Sequence, residues 1–236
     1  MALQAQQIVA LATQIAKVPG YTSQAGQMLN MILADLAETY DLEVARKSAT
    51  VNLNTTTGSG PYNLPSDYLR MAMDEVFYLV DGVPYVMVSI DLSEYDALVQ
   101  QAGISNYPAQ FATDVSGGVG NMLMYVWPPS GGSYNTTIRY YSQPSDITTP
   151  ETSTSIPWFP NQTYLITRLA GELMKIAGDS RQQAFLGNGP DGAQGILHRY
   201  LELQKDDDGR AKTVHLDRRR FGSRFDRQPN TKTLGW

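Results

Sequence analysis

The sequence predicts an α+β fold: an antiparallel helical bundle, an inserted antiparallel β-rich region, and an extended C-terminal arm. Two observations set the layered part of that plan. Apolar residues recur at helical spacing over the first forty residues and again after Pro160. Between these stretches, from Ser48 onward, the period shortens to two and turn dipeptides punctuate the chain. A third observation sets the arm: residues 209–236 follow neither pattern and hold eight Lys/Arg against two acids, a charge of +6. The whole chain carries −5, so residues 1–208 carry −11. The expected units are therefore 1–47 and 158–208 for the two halves of the bundle, 48–157 for the β-rich insert, and 209–236 for the arm.

The first helix rests on Ile8, Leu11, Ala12, Ile15 and Ala16, spaced i, i+3, i+4, i+7 and i+8, with Pro19-Gly20 as its stop. A second follows Thr22/Ser23 with Ala25, Met28, Leu29, Ile32, Leu33, Leu36, Ala37 and Tyr40 on the same spacing. The short break pairs them as antiparallel neighbours. The stretch "TVNLNT" alternates, and "EVFYLVDGVPYVMVSI" reads as a hairpin turning at Asp81-Gly82. "DLSEYDALVQQAG" reads as a short helix begun by Asp91 or Ser93 and ended by Gly103. "NMLMYVW" and "YNTTIRYYS" are expected to pair as a second hairpin across "PPSGGS", and 143–157 is a Pro/Ser/Thr loop.

Helical spacing returns with Ile166, Ala170, Leu173 and Ala177, flanked by Leu165, Leu169 and Ile176, from Pro160 to Gly178. Ser180 with Gln183 fits a capping box for a short further turn. After "GNGPDG", Ile196, Leu197, Tyr200 and Leu201 begin a last helix that runs into "KDDDGR".

Composition narrows the chemistry. With no Cys, disulfides and thiolate metal sites are excluded, and two His, His198 and His215, remove most His-based catalytic layouts. The uncharged start is studded with Gln and lacks a basic n-region, so it reads as an amphipathic helix and not a signal peptide. No apolar run is long enough to span a bilayer, and the expectation is a protein without membrane contact, cytosolic at synthesis. Charged residues are 17%, below the roughly 25% of ordinary soluble domains. With fourteen Tyr, that fits either a subunit surrounded by neighbours or a β-rich domain that favours Thr and Tyr.

The motifs point away from catalysis. "GNGPDG" matches G-x-G-x-x-G but follows a helix, so it reads as a helix–helix connector and not a dinucleotide site. "DDDG" at 206–209 lacks the further ligands of a calcium loop and reads as a helix terminus where the arm departs. Asp35 and Glu38, followed by Glu43, lie off the apolar stripe of the second helix, where acids form a solvated face, so Asp35 and Glu38 read as solvated and not as a catalytic pair. His198, beside the last-helix stripe, reads as a partner-bonded structural histidine. No catalytic, cofactor or metal residue is assigned. The arm's "RRRFGSRFDR" suits phosphates and stacked bases, or a protein partner that takes Arg and aromatic anchors, or plain solvation.

The chain resembles the head-to-tail adaptor (connector) proteins of short-tailed bacteriophages. The resemblance runs through "LPSDYLR" (Leu64 to Arg70), "DGVPY" (Asp81 to Tyr85), "SEYD" (Ser93 to Asp96), "MYVWPP" (Met124 to Pro129), "IRYYSQPSDI" (Ile138 to Ile147) and "LAGELMKIAGD" (Leu169 to Asp179). It implies a virion structural protein, no enzyme and no cofactor, assembled with copies of itself as a dodecameric ring. Its partners would be the portal protein above and a tail protein, nozzle or tail tube, below, with genomic DNA passing through unbound. The resemblance makes the arm a portal-binding strap, carried by Arg218, Arg219, Arg220, Phe221, Arg224 and Phe225. A nucleic-acid-binding module using the same arm is the alternative, and a peptidoglycan hydrolase using Glu38 a third.

Overall fold

The structure, a computed structural model, describes residues 2–100, 106–118 and 120–204. It is a mixed α+β fold with one large sheet. The arm at 209–236, the acids at 206–208, Gly103 and His215 lie outside the described residues.

Helix α1 spans Ala5–Ala16 and α2 spans Thr22–Thr39. The buried stripe of α1 is Ala5, Ile8, Val9, Ala12, Thr13 and Ala16, rotated from the predicted one, so that Leu11 and Ile15 are exposed. Both stripes have the same period, and the packing selects the one with small residues that let α4 and α2 approach. The helix stops before Pro19: Lys17 turns left-handed (φ 60°) and the Val18 N–H donates to the Thr13 carbonyl at 3.0 Å. Pro19 then starts a 3-10 turn, Pro19–Tyr21, that leads into α2.

The predicted loop 143–157 has a structural task. Its Ser155 and Ser153 carbonyls accept from the Ala5 and Gln6 N–H groups at 2.8 and 3.1 Å, satisfying donors that a helix start leaves open. Asn30 of α2 holds the same loop by a two-way pair with the Ile147 backbone, 3.0 and 3.1 Å.

Strands β1 (Arg46–Leu53), β2 (Tyr62–Asn63), β3 (Tyr68–Met71), β4 (Glu75–Val80), β5 (Val83–Ser89), β6 (Gln110–Asp114), β7 (Leu123–Trp127) and β8 (Tyr134–Ser142) form one sheet. Its order is β1-β8-β4-β5-β6-β7-β2, with β3 also pairing β8. The two end strands, β1 and β2, come back into contact, so the sheet is nearly a barrel around one core that includes Leu53, Tyr78, Met87, Phe111, Met124 and Ile138.

Asp81 (φ 48°) and Gly82 (φ 81°) turn the β4–β5 hairpin, with Val80 opposite Val83. Both central residues are left-handed, as a type I′ turn requires. Two predicted features of the sheet are corrected. β7 and β8 do not pair: β7 lies between β6 and β2, and β8 pairs β1, β4 and β3. Pro128 and Pro129 have no N–H to extend a ladder, and the connecting loop is held elsewhere, Ser130 N–H on the Gly58 carbonyl and Gly131 N–H on Asn106. Nor is the sheet wholly antiparallel. β5 and β6 run parallel, because the chain between them crosses over through α3, Leu92–Val99, which ends before the predicted Gly103.

Helix α4 spans Gln162–Ala177, begun by Asn161, whose side chain accepts from Tyr164 N–H at 3.0 Å, and ended by Gly178 at φ 70°. Its buried residues include Tyr164, Leu165, Leu169, Ala170, Leu173 and Met174; Ile176 and Ala177 face solvent. A short α5, Gln182–Leu186, follows, organised by Asp179 in place of the predicted Ser180 cap. The Asp179 carboxylate accepts from the Arg181 backbone and guanidinium at 2.6–3.2 Å, which holds its pKa down to about 2. α6 spans Ala193–Leu203. Helices α1, α2, α4 and α6 share a second core, which Tyr141 at the end of β8 also enters.

Candidate interaction surfaces

The candidate catalytic groups do not converge. Asp35 and Glu38 are exposed on α2, and Glu43 pairs with Arg46 at 3.6 Å. His198 is no structural histidine: its side chain is 74% exposed, and its ring lies 3.7 Å from Glu202. "GNGPDG" joins α5 to α6, and a Cβ on Gly192 would sit 2.2 Å from the Gly187 carbonyl oxygen. That glycine is required by chain packing, not by a phosphate. The open groove beside it, about 550 Å³, is lined by Thr163 and Thr167 of α4, Arg199 of α6 and Asp191 of the connector. Among the described residues no helix is long and apolar enough to cross a membrane.

Asp67 and Arg70 of "LPSDYLR" are structural. Arg70 sends Nε and Nη2 to one Asp41 oxygen, at 2.8 and 2.7 Å. Its Nη1 donates to the Ala37 and Glu38 carbonyls at 3.1 Å each, and Nη2 to Tyr40 at 3.0 Å. These carbonyls end α2 and have no partner within the helix, so an arginine from β3 caps it across the fold. The guanidinium also lies 5.2 Å from the Tyr141 ring centre. Asp67 receives Lys47 Nζ at 2.5 Å and the Tyr140 hydroxyl at 2.8 Å. Burial opposes its ionisation, but those two donors outweigh burial and hold the carboxyl below its ordinary value. Burial, then the bond to Asp67, pushes Tyr140 up to about 12. Together these contacts tie β1, β3 and β8 to the end of α2.

The composition signals separate once placed. Seven of the fourteen tyrosines are buried: Tyr62, Tyr68, Tyr78, Tyr95, Tyr140, Tyr141 and Tyr164. Half of the tyrosines thus belong to the interior. The charge depletion does not. From residue 1 to 34 only Lys17 is charged, although Leu11, Ile15, Tyr21 and Met31 on this helical pair are exposed. A water-facing surface without charge has the composition of an interface core.

The β-rich segment is different again. From Met71 to Ile138 the chain has seven acids and no Lys, Arg or His. Nearly all of the remaining body is close to neutral, so the acidity concentrates in the sheet region, a signal available in the sequence to a charge count by segment. The same region presents an apolar face. Phe77 lies opposite Val86, Leu79 opposite Pro84, and Glu75 opposite Val88, on the side of the hairpin away from the core residues Val76, Tyr78 and Met87. Phe77, Leu79, Val86 and Val88 are 41–63% exposed. On neighbouring β8 and β1 the same face changes to Thr137, Asn135, Thr50 and Asn52. The apolar patch is therefore confined to one hairpin.

The described residues thus combine a cross-tied fold, a charge-poor helical surface and an acidic sheet region carrying an apolar face. Comparison with known families is more specific. The chain belongs to the SU10 adaptor protein family, whose model matches residues 4–212, and it is thus a phage adaptor-type structural protein. No curated protein matches it. The arm residues Arg218–Phe225 lie beyond the matched span as well as outside the described residues.

Proposed function

We propose that the chain is the head-to-tail adaptor of a short-tailed phage, a ring of copies between the portal protein and a tail protein, nozzle or tail tube. The family match over 4–212 carries this reading. The protein works by assembly, first in the host cytoplasm and then within the virion. In a ring each copy meets its neighbours through two different surfaces, and the uncharged helical surface suits one of them. The acidic sheet region suits a protein whose ring leaves a channel for DNA, because like charge keeps the phosphate backbone from adhering. The arm is the portal strap: Arg218, Arg219, Arg220 and Arg224 supply charge, Phe221 and Phe225 supply apolar anchors.

The test uses the full chain at physiological salt. Immobilised portal protein should retain it, and duplex DNA should not be retarded. Retardation of DNA with a steep salt dependence, and no portal binding, would favour a nucleic-acid-binding module instead.

A further inference from the structure

We propose that the outer face of the β4–β5 hairpin is the resting dock of the chain's own C-terminal arm, occupied by Arg218–Phe225 of the same molecule before a partner takes the arm. The face and the segment match in both apolar and ionic character. The face offers Phe77, Leu79, Pro84, Val86 and Val88 as a contiguous patch. Glu75 lies within it, and exposed Asp74, Asp81 and Asp91 stand at its strand ends. Between Met71 and Ile138 the chain has no Lys, Arg or His, and Arg139, two residues along β8 from Thr137, is the next cation. The segment "RRRFGSRFDR" brings four arginines and two phenylalanines. Apolar area removed from water and ion pairs screened only by surrounding solvent would act together.

Reach permits the contact. Arg218 is fourteen residues past Gln204, the last described residue. At ~3.3 Å per residue that is roughly 45 Å, on the order of the width of a compact chain of this length. Docking within one molecule would cover an apolar patch of the kind that otherwise promotes association, and would keep a +6 segment away from nucleic acid. Its regulatory consequence rests on the portal-strap reading: the portal would compete with the hairpin face, so the arm becomes available only where portal is present.

The experiment places a benzophenone amino acid at Leu79, and separately at Val86, in the full chain, and maps the photo-crosslinks by mass spectrometry. An equal mixture of nitrogen-14 and nitrogen-15 chains separates contacts within a molecule from contacts between molecules. We expect both probes to crosslink residues 210–227 within single-isotope chains, and the same probe at Thr50, on the polar part of the sheet face, to miss them. Arg218→Glu, Arg219→Glu and Arg220→Glu together should cut the yield roughly tenfold. Asp74→Lys, Glu75→Lys and Asp81→Lys added to that variant should restore it. Crosslinks to the body of a second copy, mixed-isotope crosslinks to the arm, or a yield indifferent to charge reversal would each overturn the proposal. No portal is present in this assay, so its failure leaves the portal reading standing. Portal binding by a chain ending at Asp208 would do the reverse.

Discussion

Replacing Arg70 removes a side chain that joins β3 to the end of α2 through four hydrogen bonds and an ion pair. Asp41, its carboxylate partner, is only 10% exposed and would be left without its cation, while the carbonyls of Ala37 and Glu38 would lose the Arg70 donor and that of Tyr40 would keep only the Leu42 N–H. Breaking a buried pair by removing one partner costs about 3–5 kcal/mol. Arg70 is itself 30% exposed, so solvent screens part of that and about 2–4 kcal/mol is expected for Arg70→Ala. In a chain of this size that lowers Tm by roughly 5–15 °C. Arg70→Lys keeps the charge but loses the planar fork, and about half of the loss should remain. Urea denaturation followed by circular dichroism gives the magnitudes. A cycle with Asp41→Asn gives the coupling, which should make the double variant less damaged than the sum of its parts. Helix α2 should also show faster amide exchange at Glu38–Asp41 than in the wild type. Stability of Arg70→Ala within about 0.5 kcal/mol of wild type would refute the reasoning, because it would mean that the helix end and the sheet are held by packing alone.

Four other outcomes follow from the same contacts. Gly82→Val puts a β-branched residue at φ 81° with no atom in its way, so backbone strain alone should cost about 1–2 kcal/mol, read as a shifted melting curve, and an unchanged curve would count against the turn. Asp67 has a folded pKa below its unfolded value, so its contribution is present above about pH 4 and lost as pH falls through the folded value; Asp67→Asn should flatten that acid limb in a pH series of urea melts. Tyr140 has the opposite sign: its contribution is present below about pH 10 and lost as pH rises towards about 12, and Tyr140→Phe should make alkaline unfolding shallower. Arm variants should separate charge from burial at the portal: Arg218→Ala, Arg219→Ala and Arg220→Ala together weaken binding most at low salt, whereas Phe221→Ala with Phe225→Ala weakens it at every salt concentration, in titrations by surface plasmon resonance.

Local signals in the sequence located elements well and pairings poorly, for a physical reason. The Asp81-Gly82 turn is legible because left-handed backbone at two successive residues is a local demand. The partners of β7 and β8 are not, because an alternating strand carries no mark of which other strand satisfies its ladder. Likewise Leu11 and Ile15 satisfy helical spacing as well as Ile8 and Ala12 do, and only the neighbours of α1 decide which face is buried. Arg70 reads as one more cation until α2 is seen to end beside it, thirty residues earlier in the chain. The candidate surfaces divide the same way. Acidity from Met71 to Ile138 is a count anyone can make on the sequence, but the apolar face within it needs the register, which sets Phe77 beside Val86 and Leu79 beside Pro84. The tyrosines fit either a subunit surrounded by neighbours or a β-rich domain, and half of the fourteen are buried inside the fold.

The most direct test of the account is a cryo-EM reconstruction of the full chain mixed with the portal protein of the same phage. The expected reconstruction shows a closed ring of copies coaxial with the portal, an open channel through both, and arm residues Arg218–Phe225 seated against portal subunits and off the β4–β5 hairpin. Sedimentation of the chain without portal should show a monomer. A portal ring that remains bare at saturating chain, or chain found only on added DNA, would contradict the account.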